Sequence, residues 1–409
     1  MARYDLKAKA KMKKSLKSQV TMLMIIGLVM FIVVGIVLYI SKGAVKKISQ
    51  QSVKKTQDTI TQNQPLKEFV VGCVDKLAKD SLVLLGQQGG YIYTDQGGTL
   101  IKFIDSDEGR FFIKNKGIKV AYNIRNPPIY LPSPYSAFLP DYPWIIFPYK
   151  QDLHTKTFEG IFGVSITPFL NYSGPQSIQN QIEEFIDNNL DTCLDFSTFK
   201  SQGYEIEVQK SKTKITIGST DISVKSEIPL KILNTATKEV LEIKDFSDTI
   251  NVRLKDIYYF IQDLIYNDIQ NITFDIKDPK NDKNSFYIKV IENAYKSDDL
   301  IVVKDEKSLI YGQPLEYVFA RQNRPPALYY ILNNELEFPE NYIITRQDLL
   351  QDYDLKAEDP DEDHITYDVK ALLPDPSLPT KLDRPYIQFV VSASDGEYTD
   401  YQVITARRT

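Results

Sequence analysis

The hydrophobic and polar positions divide the chain into segments of two periodicities. Three segments repeat apolar residues every three or four positions, which predicts amphipathic helices over 66–85, 178–193 and 254–269. Between the second and third of these, apolar and polar residues alternate at period two, which predicts an antiparallel meander over 204–254. The predicted fold class is therefore α+β, with helices packed on mostly antiparallel sheet.

Short apolar runs bounded by turn residues predict further strands. Two segments punctuated by glycine, 89–104 and 117–124, are predicted as strands and hairpins, and strand-like runs return at 271–276, 285–292 and 300–305. Together with the helices and the meander they predict a mixed helix and antiparallel-sheet body that covers 65–320.

One uncharged segment has a different character from the rest of the chain. Residues 21–40 are twenty consecutive residues without a charge. As a helix they would cross the roughly 30 Å hydrocarbon core of a bilayer. A buried core helix and a cleavable secretory signal are the alternatives, but the first is usually shorter and the second ends at a small-residue site. We therefore predict a transmembrane helix, followed by a helical stalk over 41–64.

The distribution of charge orients that span. Residues 1–20 contain seven basic residues and one acidic residue, although the whole chain of 409 residues has a formal net charge of −5. The basic start predicts a cytoplasmic N-terminus and an extracellular body, in a single-pass protein of the cell membrane. The strongly acidic remainder makes nucleic acid an unfavourable partner, since phosphate binding needs a basic face.

The two cysteines lie on the apolar sides of the first two predicted helices. Cys73 belongs to the stripe of the first helix, which Gly86 is expected to cap, and Cys193 to that of the second, which Ser177 is expected to begin. The two stripes could meet and bring the sulfur atoms together. An extracellular location favours a disulfide between Cys73 and Cys193, whereas a cytosolic one would favour two buried thiols.

A segment rich in proline and aromatic residues, 127–149, matches neither periodicity. Proline at this density excludes a regular helix or a central strand. Its rings could cover the core of the body or form an arm for a partner, and the candidate partner-binding residues are Tyr135, Phe138, Tyr142 and Trp144.

Asn171 and Asn271 begin glycosylation sequons, which would suit an extracellular body.

Two stretches resemble a family of membrane-anchored surface proteins of small-genome archaea. They are residues 69–93, with a cysteine before LGQQGGY, and residues 191–232, with a second cysteine before the strand YEIEV. The resemblance implies this order of parts and no activity. The junction KSLKSQVTMLMIIGL is also similar to the class III signal of archaeal type IV pilins, although Ser18 stands where glycine or alanine is usual before the cut and no glutamate occupies the start of the helix.

Residues 321–409 follow a proline-marked linker and resemble cadherin-like, immunoglobulin-type modules. The landmarks are the acidic loop that starts at Asp359 and the turn at Asp395. Alternating short strands independently predict an all-β sandwich here. The resemblance implies that calcium, the single cofactor candidate, would bind to Asp359, Asp361, Asp363 and Asp395. A solvated acidic turn is the alternative, because the linker lacks the Asp-x-Asn-Asp pattern of cadherins.

No motif of nucleophilic, metal-dependent or phosphate-binding catalysis occurs in the sequence. We therefore expect a cell-surface structural or adhesion protein that acts by binding rather than by catalysis, anchored in the lipid bilayer. Its partners would be envelope proteins, glycans or another cell. The alternatives are a pilin-like filament subunit that self-associates through the apolar helix, and an extracellular hydrolase with paired carboxylates.

Overall fold

A computed structural model describes residues 64–127, 149–152, 154–171, 174–352, 355–372 and 378–409. The chain forms two compact units, Met1–Phe69 and Val70–Thr409. The predicted cytoplasmic segment, transmembrane helix and nearly all of the stalk therefore lie outside the described residues. Among the helices that are described, none is long and apolar enough to cross a membrane.

The helices follow the predicted apolar stripes closely. The described α-helices are α1 (64–87), α2 (Ile178–Cys193), α3 (Ser197–Ser201), α4 (Leu254–Gln270) and α5 (Arg346–Asp352). Ser177 caps α2, as predicted, because its Oγ accepts a hydrogen bond from the backbone N–H of Asn180 at 3.3 Å.

Gly86 does not cap α1, because the helix continues through residue 87. A Cβ atom at Gly86 would lie 2.3 Å from the carbonyl oxygen of Glu316. The glycine is therefore required where the helix approaches a neighbouring strand, and the turn after the helix is closed by the N–H of Gly90, which donates to the carbonyl of Leu85 at 2.9 Å.

The disulfide prediction is confirmed. Cys73 on α1 is bonded to Cys193, the last residue of α2, with the two Cα atoms 5.8 Å apart. The bond closes a loop with a sequence separation of 120 residues. In the chain-entropy view such a loop stabilises the fold by about 4–5 kcal/mol.

The larger sheet of the body has six strands in the order β1-β2-β12-β11-β10, with β5 also paired to β2. Its pairs are antiparallel except β2 with β12. The strands are β1 (Phe112–Asn115), β2 (Ile118–Arg125), β5 (Val164–Ser165), β10 (Phe286–Tyr295), β11 (Asp298–Ile310) and β12 (Gln313–Arg321). A separate hairpin is formed by β3 (Tyr149–Asp152) and β4 (Thr157–Gly160).

The predicted meander forms the second sheet of the body. Its central strand β8 pairs with β6 and β7 along one side and with β9 along the other, all antiparallel. Helix α2 covers one face, where the carboxylate of Asp187 accepts a hydrogen bond from the N–H of Thr213 at 3.0 Å. The strands are β6 (Tyr204–Val208), β7 (Lys212–Ile217), β8 (Ile222–Asn234) and β9 (Val240–Ile250).

The C-terminal residues build their own hydrophobic core inside the second unit. A four-stranded sheet has the order β14-β20-β19-β17, and two short pairs, β15 with β18 and β13 with β16, form separate two-stranded sheets. The core joins Leu349 and Phe389, with buried residues of several strands between them. The strands are β13 (Ala327–Leu328), β14 (Glu335–Phe338), β15 (Ile343–Ile344), β16 (Ala357–Glu358), β17 (Thr366–Ala371), β18 (Thr380–Lys381), β19 (Tyr386–Ser394) and β20 (Thr399–Arg408).

Three local predictions are wrong. Residues 89–104 form a 3-10 turn at Thr94–Gln96 and an isolated bridge instead of a hairpin. Residues 271–276 form turns, because the Asn271 side chain accepts hydrogen bonds from the N–H and hydroxyl of Thr273 and so replaces ladder bonding. The C-terminal module is not all-β, since α5 contributes the buried Leu349 to its core.

Candidate functional site

The linker between the body and the C-terminal module carries two buried arginines. It leaves β12 at Arg321, passes Asn323 and Arg324, and enters β13 after two prolines. A residue before proline favours extended backbone, which prevents this linker from coiling. Arg321, Asn323 and Arg324 are at most 2 % exposed, so their polar atoms need partners inside the protein.

Arg324 has no exposed surface and contacts the acidic loop and α4 at the same time. Its Nε donates to Asp361 Oδ1 at 2.9 Å, and its backbone N–H donates to Asp361 Oδ2 at 2.5 Å. Its Nη1 donates to the carbonyl oxygen of Asp268, in the last turn of α4, at 2.9 Å. One guanidinium therefore joins the linker, the C-terminal module and the body.

Arg321 lies beside it and repeats the arrangement. Its Nη2 is 2.6 Å from Asp361 Oδ1 and 3.2 Å from Asp268 Oδ1, and its Nη1 is 3.4 Å from Asp299 Oδ2. Both arginines also donate to the carbonyl oxygen of Pro360, at 3.0 Å and 2.6 Å. The two guanidiniums and the carboxylates of Asp361 and Asp268 form one network, which we call the arginine clamp.

The carboxyl groups in and around the arginine clamp outnumber its two cations. Both arginine cations hold the pKa of Asp361 below its ordinary value, although burial acts in the opposite direction. Burial and the neighbouring Asp361 charge raise the pKa of Asp359 to about 7, and burial with the same charge raises that of Asp363 to about 6. Two cations do not neutralise this many carboxylates, so Asp359 and Asp363 take up a proton at higher pH than a free aspartate does.

A second layer of contacts joins the first residues of β11 to the linker. Asp298 accepts a hydrogen bond from the backbone N–H of Asn323 at 2.7 Å and another from the hydroxyl of Tyr122. Burial is the largest cause that raises the pKa of Asp298 to about 6. Asn323 in turn donates to Asp395 Oδ2 at 3.2 Å, which connects the β19–β20 turn to the body.

Apolar contacts close one side of the junction. Phe158, Phe162 and Ile272 of the body pack with Ala327 at the start of the module. The ring of Tyr329 meets that of Phe158 edge to face, with centroids 4.8 Å apart. These contacts keep water from the clamp, which strengthens its ion pairs.

The four predicted calcium ligands lie in the same region of the structure but are not grouped as a metal site. Asp359, Asp361 and Asp363 share a loop, and Asp395 reaches the same region through Asn323. Asp361, however, is bound by both guanidiniums of the clamp. Among the described residues, no three His, Cys, Asp or Glu side chains are grouped so that they could hold a metal ion.

Sequence reasoning missed the partners of the acidic loop. It treated Arg321 and Arg324 as parts of a polar linker, and Asp268 as a position in a helix. The available signal was charge complementarity, since a linker with two arginines precedes a loop with three aspartates.

The other candidate residues are dispersed. Asn171 and Asn271 are exposed. Tyr135, Phe138, Tyr142 and Trp144 lie outside the described residues, so their partner-binding role stays a prediction.

No family model and no curated protein sequence matches the chain. Two solved structures of cadherin type are similar to it. A crystal structure of Drosophila N-cadherin EC1-4 shares 12 % identity, with 50 % of this chain and 67 % of that chain covered and a TM-score of 0.15. A crystal structure of human mucin-like protocadherin EC1-2 shares 12 % identity over 51 % and 85 %, with a TM-score of 0.14. At these TM-scores the likeness carries no argument about the chain.

Proposed function

We propose that this chain is a membrane-anchored cell-surface structural or adhesion protein that acts by binding rather than by catalysis. The observation that carries the proposal is the arginine clamp, which joins the C-terminal module to the body through buried charges. Arg324 contributes nothing to the exposed surface and joins three parts of the chain. Such a connection would hold the C-terminal module in a set direction relative to the body, which suits a binding module.

Two further observations support the extracellular placement. The Cys73–Cys193 disulfide is the kind of bond that persists in an oxidising environment. The uncharged residues 21–40 follow a basic start, as expected for an anchor with a cytoplasmic N-terminus.

Labelling of intact native cells tests the placement. With a membrane-impermeant amine reagent, Lys280, whose side chain is 89 % exposed, should be modified before lysis. Lys7 and Lys17 should be modified only after lysis. The reverse pattern would overturn the proposed topology.

A vesicle-binding experiment tests the adhesive role. Lipid vesicles that carry the full chain should be retained on native cells more than protein-free vesicles are. Equal retention of the two kinds of vesicle would exclude an adhesive role.

We propose that calcium binds to the carboxylates of the acidic loop that do not belong to the arginine clamp. Asp359 Oδ2 and Asp363 Oδ2 have no hydrogen-bond partner among the described residues, and carboxylate oxygens are the donors that calcium prefers. Calcium on the order of 1 mM, a level suited to weak extracellular sites, should raise the melting temperature of the full chain relative to chelator.

Two variants make that test specific. Asp363→Asn should abolish the calcium shift, whereas Asp383→Asn, at an exposed carboxylate of the same module, should retain it. An identical melting temperature in calcium and in chelator for the unaltered chain would exclude the calcium proposal without affecting the clamp.

A further inference from the structure

The open face formed by β7, the first half of β8 and the β9 residues paired with it is built from polar side chains. Buried and exposed residues alternate strictly along β7 and the first half of β8, so one face packs under α2 and the other is open. The register places three exposed rows across β7, β8 and β9. The rows are Lys212, Glu227 and Asp245; Lys214, Lys225 and Ser247; and Thr216, Ser223 and Thr249.

The middle row carries a charge arrangement that folding does not require. Lys214 and Lys225 are direct cross-strand partners, and like charges in that position destabilise a sheet. Within the described residues neither lysine has an acidic partner. Glu227 is shared with Lys244, whose Nζ lies 3.4 Å away, so it does not neutralise the pair.

The same side chains line a groove of about 430 Å³, within the range of small-ligand sites. A register shift between Glu227 and Leu230 lies at one end of this groove, and such bulges bend a strand and redirect its side chains. Lys212, Lys214 and Lys225 contribute cations to the walls, whereas Glu227 and Asp245 contribute acceptors and Ser247 a hydroxyl.

We propose that this groove binds an acidic saccharide. The Lys214 and Lys225 ammonium groups would donate charge-assisted hydrogen bonds to its carboxylate, sulfate or phosphate group. Glu227 and Asp245 would accept from its sugar hydroxyls, a requirement that a bare anion does not meet. The inference names a partner class for the proposed surface role and rests on that role, yet the binding step is measurable on the purified chain alone.

Isothermal titration of the full chain in detergent tests the site, with a uronic-acid oligosaccharide as probe and a neutral oligosaccharide of equal length as reference. The acidic probe should bind and the neutral one should not. Lys214→Gln with Lys225→Gln should weaken binding at least about tenfold, which corresponds to about 1.4 kcal/mol. Lys289→Gln, at an exposed strand lysine of the other sheet, should leave it unchanged.

Two results would overturn the proposal. Equal binding of the acidic probe to the double variant and to Lys289→Gln would remove the groove as the site. Equal affinity for inorganic phosphate and for the oligosaccharide would show simple anion capture, without a role for the carboxylate acceptors. The melting temperature of the double variant should not fall, because the substitutions remove a repulsion. Surface labelling of cells is independent of all these outcomes.

Discussion

An ion pair between arginine and aspartate lies at each end of helix α4, but the two pairs have different surroundings. At the N-terminal end Arg253 pairs with the fully buried Asp305 through Nε at 3.1 Å and through Nη2. Asp305 also accepts from the hydroxyl of Ser308 at 2.5 Å and from the N–H of Lys307 at 3.0 Å. One cation meets one anion whose other lone pairs are satisfied.

At the C-terminal end, Asp268 joins the arginine clamp, where two cations face a larger number of acids. Here Asp359 Oδ2, Asp363 Oδ2 and Asn323 Oδ1 have no hydrogen-bond partner among the described residues. The comparison teaches that the first pair completes the body, whereas the second connects two parts of the chain at a site with uncompensated acid. The consequences can be tested by removing each cation in turn.

The largest effect is expected from Arg324→Met. The change leaves Asp361 and Asp268 buried with one cation fewer, and breaking a buried pair in this way costs about 3–5 kcal/mol. Chemical denaturation of the full chain should show a loss of this size. Arg346→Met is the matched control, since its pair with Asp368 is about half exposed and should cost less than about 1 kcal/mol. A loss as small for Arg324→Met would mean that the clamp does not hold the junction.

A smaller loss is expected from Arg253→Met. The Arg253 side chain is 16 % exposed, so its pair is partly screened by water, and Asp305 keeps two other donors. The free energy of unfolding should therefore fall by about 1.5–3 kcal/mol, the value of hydrogen bonds to a charged group. The same denaturation experiment measures it. If this loss equalled or exceeded that of Arg324→Met, the distinction between the two ends of α4 would have no energetic basis.

The third effect concerns the pH dependence of stability at the junction. The folded-state pKa of Asp298 is raised to about 6, so its protonated form is favoured by folding. Its contribution to stability is therefore fully present below the unfolded pKa, near 4, and is lost as pH rises through 6, by roughly 2–3 kcal/mol for a shift of about two pKa units. Asp298→Asn should remove this part of the pH dependence and retain acceptance from the N–H of Asn323.

Denaturation curves between pH 4 and pH 8 decide this prediction. Asp383→Asn, at an exposed carboxylate, serves as the control and should keep the slope of the unaltered chain. A slope that is unchanged in Asp298→Asn would assign the pH dependence to other carboxylates of the cluster.

Periodicity was sufficient where one face of an element is buried. The apolar stripes of α2 and α4 and the alternation of β7 and β8 were predicted because burial alone fixes them. The prediction for residues 89–104 is wrong because their glycines and apolar residues follow the pattern of a hairpin. In the structure, side chains from elsewhere bind the backbone of this segment. One example is Gln181, whose Oε1 accepts a hydrogen bond from the N–H of Ile92 at 2.6 Å.

The arginine clamp shows a second limit. Arg321, Arg324, Asp268 and Asp361 come from three distant parts of the sequence, and only the packing of α4 against the junction gathers them. A sequence reveals that charges exist, but burial decides whether they are solvated or paired. The acidic loop could therefore be located from the sequence, whereas its arginine partners could not.

The disulfide also determines how the chain would respond to tension. A pulling force that enters along α1 reaches Cys73 and can pass directly through the covalent bond to Cys193. The chain between the two cysteines, which includes β1 and β2, then carries no force. Mechanical extension of the oxidised protein would release a shorter length of chain than that of the reduced one.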